Sequence, residues 1–143
     1  MIAVRIGPDR RMVIVGAPSY LALRKPPSTP QDLVNHNCIN HRLPTSGGLL
    51  AWELRRGKRE MQVRVEGQFT FGSAFQLRDA ALAGFGLAYV PEDLALPYVQ
   101  QGQLQLVLED WHPTFPGHHA YYPSRRQSSR ALQIVIEALR HRE

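Results

Sequence analysis

The sequence predicts an α/β domain, and three observations carry that reading: short continuous apolar runs of strand length, helix-start signals between them, and glycine or proline punctuation after nearly every element. The two clearest runs are "MVIV" (Met12 to Val15) and "LAYV" (Leu87 to Val90), the pattern of strands covered on both faces. With 143 residues, 43% of them hydrophobic and 20% charged, the chain can bury a core and amounts to one globular domain or most of one.

Taken in order, Gly16 and Pro18 end the first run, and "PSYLALR" reads as a short helix. "TPQDLVNH" reads as another, with Thr29 as N-cap, Pro30 at N1 and Asp32 at N3 completing a capping box. "CIN" (Cys38 to Asn40) is a strand, and "LPTSGG" (Leu43 to Gly48) a turn-rich loop. Met61, Val63 and Val65 alternate with Gln62, Arg64 and Glu66, so "AWELRRGKREMQVRVE" predicts a hairpin with Gly57 at its turn. Ser73 and Gln76 form an S-x-x-Q capping box that starts a helix, and Gly84 stops it. Pro91 at N1, with Glu92 and Asp93 in the first turn, opens the next helix. Leu104, Leu106 and Leu108 are expected on one face of a strand, followed by the loop "HPTFPG", a strand through Tyr122 and a turn at Pro123. A final helix is capped by Ser128 or Ser129, with Leu132, Val135, Ile136 and Leu139 as its buried stripe.

Several functions are disfavoured by what the sequence holds. The "GFG" at Gly84 to Gly86 follows a helix and enters a strand, the reverse of a dinucleotide loop, and it lacks the third glycine. Neither G-x-S-x-G nor H-E-x-x-H occurs, so no enzyme activity and no cofactor are expected. His112, His118 and His119 near Asp110 could be assembled into a metal site, but their spacing is unspecific and surface or capping roles compete. Trp111, Phe115, Tyr121 and Tyr122 could line a pocket or simply pack. Cys38 is the only cysteine, which excludes an internal disulfide and suggests a buried thiol. The net charge of +5 comes from dispersed basic residues whose densest cluster, "RRGKR", sits at a hairpin tip without interleaved aromatics, so direct nucleic-acid binding is not expected. No apolar run reaches the ~20 residues of a membrane span and no secretory signal is present, so a cytoplasmic location without membrane association is expected.

The helix start at Phe71, Gly72 and Ser73 has two readings: Ser73 merely caps a helix, or the unpaired N–H groups and positive dipole end attract an anion.

The segments "MVIVGAPSYLA", "TPQDLVNHNCINHRLPTSGG", "AWEL", "AALAGFGLAYVPEDLA", "GQLQLVLEDW" and "YYPSRRQSSRAL", in this order, resemble the effector-binding domain of LysR-type transcriptional regulators over nearly the whole chain. The resemblance implies a fold like the type II periplasmic binding proteins, with two α/β lobes, two crossovers and a small molecule in the cleft. Residues 1–10 would then end the first lobe, residues 11–108 form the second, and residues 109–143 return to the first. It also implies that Asn40, His41, Arg42, Thr45 and Ser46 supply one wall of the pocket, and Phe71, Gly72 and Ser73 the other. Arg42 is the natural partner of a carboxylate, against the alternative of a solvated arginine at a strand end. Relatives often carry an Asn-Asp pair where this chain has Gly72 and Ser73, so ligand identity does not transfer.

These 143 residues do not include the family's winged helix-turn-helix. The chain is therefore expected to be a fragment or truncated product, contacting DNA only through an N-terminal domain it lacks, and forming dimers or tetramers in the full-length protein. An exposed apolar patch is expected on "HHAYY" and the last helix. The competing expectation is a stand-alone cytoplasmic small-molecule-binding protein without control of DNA.

Overall fold

The computed structural model describes residues 2–5, 9–115 and 119–122, with side chains over 9–115. In chain order the elements are β1 (Ile2–Arg5), β2 (Arg10–Gly16), α1 (Pro18–Ala22), a 3-10 helix (Pro30–Asn35), β3 (Asn40–His41), β4 (Trp52–Arg56), β5 (Arg59–Val63), β6 (Thr70–Phe71), α2 (Ala74–Leu82), β7 (Ala88–Pro91), α3 (Glu92–Gln100), β8 (Gln105–Val107), a second 3-10 turn (Glu109–Trp111), β9 (Thr114–Phe115) and β10 (His119–Tyr122). The chain forms two compact units, and Arg11–Pro113 makes up one of them. The other contains the antiparallel pair β1–β10, in register from Ile2 opposite Tyr122 to Arg5 opposite His119.

Within the larger unit the strand order is β7-β2-β8, with β2 antiparallel to both neighbours. Val13, Ile14 and Val15 are fully buried, as a continuous apolar run requires. Because side chains alternate across a strand, Val13, Val15, Ala88 and Val90 join one cluster with Leu77, Ala80 and Ala81 of α2 and Ala95 of α3. Tyr89 points to the other face, where its ring stacks on Trp52 of the β4–β5 hairpin at 5.6 Å and its hydroxyl donates to the Glu53 carbonyl at 2.8 Å. The sheet is thus covered by helices on one side and a hairpin on the other, which accounts for strands with no polar face.

The hairpin turns at Gly57, with φ +61°, between paired Arg56 and Arg59. Asp32 accepts the amides of Ser28 and Thr29 at 2.8 and 3.1 Å, which anchors the start of the Pro30–Asn35 helix and holds the Asp32 carboxyl below its usual range. That element is 3-10 rather than α-helical. Cys38 is wholly buried, its thiol pushed up to about 12 by desolvation, and it forms a parallel bridge to Leu87 just before the Asn40–His41 ladder.

Four local expectations are corrected. Ser73 caps α2 by accepting the amide of Phe75 at 3.2 Å, the N2 rather than the N3 position. Pro91 is the N-cap of α3 rather than N1, and the helix runs through Pro97 to Gln100. The Leu104–Leu106–Leu108 stripe does not form, since the strand spans only Gln105–Val107 and Leu108 turns into the left-handed region at φ +54°, so that Leu104, Val107 and Leu108 are buried. Thr114 and Phe115, expected in a loop, form β9. The turn at Pro123, the final helix with its caps Ser128 and Ser129, its stripe, and the side chains of Tyr121 and Tyr122 lie outside the described residues. So does the apolar patch expected around them.

Candidate functional site

The carboxyl end of a strand and the start of a helix meet where β3 runs parallel to β6, with Asn40 opposite Thr70 and His41 opposite Phe71. The ladder continues one step further, through the Arg42 amide donating to the Phe71 carbonyl at 2.8 Å. Beyond Arg42 the chain folds back: Arg42 bridges Leu49, the Leu43 amide donates to the Gly48 carbonyl at 2.8 Å, and the Leu50 amide to the His41 carbonyl at 2.8 Å. Gly47, at φ +71°, makes the return possible. Beyond Phe71 the chain passes through Gly72 into Ser73, the cap of α2.

Between the loop and the helix start lies a hollow of about 440 Å³, lined by Arg42, Leu43, Pro44, Gly47, Thr70, Phe71 and Gly72. Arg42 is the one charged residue of this set, and its Nη1 donates to the Gly47 carbonyl at 2.6 Å, so the guanidinium is drawn over the loop. The N-terminal end of α2 adds a partial positive charge on the opposite side. Gly72 has nothing within 4 Å of where a Cβ would stand, so a larger residue fits there and glycine leaves the backbone bare.

Of the eight residues singled out from the sequence, Arg42, Phe71 and Gly72 line this hollow together. Asn40 is buried, its side-chain amide donating to the Val65 carbonyl at 3.1 Å. His41 and Ser73 are half-buried beside the lining. Thr45 and Ser46 sit on the exposed loop, where the Ser46 hydroxyl accepts the Gly48 amide at 3.3 Å. Leu43, Pro44, Gly47 and Thr70 are additional lining residues that were not among those expected at the site. Turn chemistry at Pro44 and Gly47 was the available signal.

The GFG segment has the packing role its order suggested. Gly84, at φ +87°, ends α2, and a Cβ on Gly86 would land on the Asn37 carbonyl. Gly67 meets the same strand from the other side, where a Cβ would land on the Cys38 carbonyl. Asn37 ties the two together, donating from Nδ2 to the Phe85 carbonyl at 2.6 Å and accepting the Gln68 amide at Oδ1 at 2.9 Å.

Of the histidines weighed as a metal site, His112 is buried with Nε2 between the Ile14 amide and the Val107 carbonyl. Among the described residues no group of three or more His, Cys, Asp or Glu side chains could hold a metal ion. Trp111 is buried beneath a second hollow of about 400 Å³ walled by Pro26, Pro27, Glu109 and Asp110, and Arg59 lies over its ring at 5.7 Å. Among the described residues no helix is long and apolar enough to cross a membrane.

The family model described as the LysR substrate binding domain matches residues 1–143. A Pseudomonas aeruginosa relative is 50% identical over 141 residues, covering 99% of this chain and 46% of that one. The HTH-type transcriptional regulator PgrR of Escherichia coli is 43% identical over 142 residues, covering 99% of this chain and 48% of PgrR. The chain therefore spans about half the length of the curated relatives it matches. The regulatory domain of the C227S variant of AphB from Vibrio vulnificus superposes with a TM-score of 0.79 at 22% identity, over 96% of this chain and 68% of that one. The regulatory domain of CrgA from Neisseria meningitidis gives 0.71 at 24% identity, over 96% of this chain and 66% of that one. These neighbours place the α/β architecture in the type II periplasmic-binding-protein-like class. The chain belongs to the LysR substrate-binding-domain family, whose members here are transcriptional regulators.

Proposed function

We propose that this chain is the effector-sensing part of a LysR-type transcription regulator, and that a small anionic molecule binds at the hollow between the β3 loop and the start of α2. The convergence of Arg42 and the α2 N-terminus on one hollow carries the reading, since both favour negative charge and no acidic residue is among those that line it. A hollow of about 440 Å³ suits a metabolite-sized ligand, with Leu43, Pro44 and Phe71 against its apolar part. Asn40, His41, Thr45, Ser46 and Ser73 then shape or rim the site rather than line it. On this reading residues 11–108 form one lobe, and residues 1–10 and 109–143 belong to the other. The compact Arg11–Pro113 unit supports the first of these boundaries. DNA is contacted by a separate N-terminal domain, the working form is a homodimer or tetramer in the cytoplasm, and effector binding shifts the balance between two of its arrangements. Neither a cofactor nor a catalytic step enters.

The test is a thermal-shift screen of the full-length regulator against mono- and dicarboxylates, each paired with its neutral amide. A carboxylate at a hundredfold excess over its Kd is expected to add about 2.7 kcal/mol of stability and raise Tm by several degrees, while its amide adds little. The same compound should alter transcription of a reporter carrying the regulator's operator. Binding by the amide as strong as by the acid would overturn the anionic assignment, and binding without any change in transcription would favour a stand-alone binding protein.

A further inference from the structure

We propose that His112 is a protonation-sensitive pin that holds the two ends of the Arg11–Pro113 unit side by side and lets go when its ring gains a second proton. His112 is 9% exposed, and its Nε2 lies 3.1 Å from the Ile14 amide of β2 and 2.8 Å from the Val107 carbonyl of β8. The next residue, Pro113, accepts the Met12 amide at 3.1 Å, so the segment that ends the unit is fastened to the strand that begins it. Leu108, at φ +54°, is where the chain turns from β8 into the segment carrying His112.

The two contacts of Nε2 are mutually exclusive, because an imidazole nitrogen either accepts or donates. A neutral ring can satisfy one of them. Donation to Val107 leaves Nδ1 as a bare acceptor, and acceptance from Ile14 leaves Nδ1–H as a donor, while Nδ1 is buried with no hydrogen-bond partner among the described residues. A second proton removes the choice. Nε2–H is then fixed as a donor to the Val107 carbonyl, a bond that favours the charged ring, so the Ile14 amide of β2 loses its acceptor and Nδ1–H becomes a buried charged donor without an acceptor.

The charged groups facing the ring act in both directions. Arg11 on β2 opposes the second proton, whereas Glu109 on the 3-10 turn and Glu92 on α3 favour it. Glu92 is itself engaged with Arg11 at 3.1 Å, and Arg59 of β5 stands over the neighbouring Trp111. Burial is the largest influence and holds the His112 pKa below its ordinary 6.5. A folded state with the lower pKa binds fewer protons than the open one, so the stabilisation is complete above about pH 6.5 and is lost as pH falls through the folded value.

Hydrogen exchange of the full-length regulator, corrected for the intrinsic pH dependence, tests the pin. In the wild type the protection of Met12, Ile14 and residues 109–112 is expected to fall about tenfold per pH unit below about pH 6.5, and in His112→Gln to stay flat. His36, also depressed by burial, is separated by His36→Gln, which should leave the loss at Met12 and Ile14 in place. An equal loss in His112→Gln, or none in the wild type, overturns the proposal. Should His112→Gln fail to fold, the wild-type ring titration followed by NMR decides. A midpoint below 6.5, with protection falling between pH 6.5 and that midpoint, supports the pin, and a midpoint at or above 6.5 overturns it.

Discussion

Gly86→Ala is expected to destabilise the domain by about 3 kcal/mol or more, a large share of a marginal folding free energy. Two effects act together. At φ +154° the backbone is in a region that L side chains rarely adopt, and the added Cβ falls on the Asn37 carbonyl, which cannot retreat because it accepts the Leu87 amide at 2.9 Å. The same strand is hemmed in from the other side at Gly67, so movement of Asn37 away from Gly86 is blocked as well. Gly102→Ala is the matched control: its φ is +77°, but nothing lies within 4 Å of the new methyl, so only the backbone cost of about 1–2 kcal/mol applies. Urea unfolding of both variants separates clash from strain. Equal losses would contradict the packing role of the GFG segment and reopen a ligand-binding one.

Arg42→Ala is expected to weaken effector binding by the full-length regulator between about tenfold and a hundredfold, the equivalent of about 1.5–3 kcal/mol for a hydrogen bond to a charged group. Arg42→Lys should recover only part of this, because an ammonium keeps the charge but not the two-pronged grip on a carboxylate. The arginine also bonds the Gly47 carbonyl at 2.6 Å, so a loosened loop is a competing explanation. Ser46→Ala isolates it by removing the hydroxyl that accepts the Gly48 amide while leaving Arg42 intact. Titration calorimetry with a carboxylate found in the screen should show Ser46→Ala within about twofold of wild type. A loss as large as that of Arg42→Ala would move the effect from charge to loop structure.

Legibility followed the range of the interactions. Signals confined to a few residues were readable: the Thr29–Asp32 cap, the hairpin turn at Gly57, the helix stop at Gly84 and the buried runs at Val13–Val15 and Ala88–Val90 all form as their local chemistry dictates. Where a distant partner decides, the pattern misled. Leucines at 104, 106 and 108 look like one face of a strand, but the left-handed turn at Leu108 breaks the alternation. Phe71 and Gly72 of the hollow were marked by the helix start at Ser73, and Arg42 by the family resemblance. Leu43, Pro44, Gly47 and Thr70 became visible only once the loop was seen to fold back on β3. His112 looked like a loop histidine, because its contacts to Ile14 and Val107 depend on the antiparallel pairing of β2 and β8.

A crystal structure of the full-length protein with a carboxylate that changes reporter output would locate the effector relative to the hollow beside Arg42. The carboxylate is expected within hydrogen-bond distance of the Arg42 guanidinium, with the rest of the molecule against Phe71 and the start of α2. A ligand bound elsewhere, with Arg42 still on the Gly47 carbonyl, would contradict it.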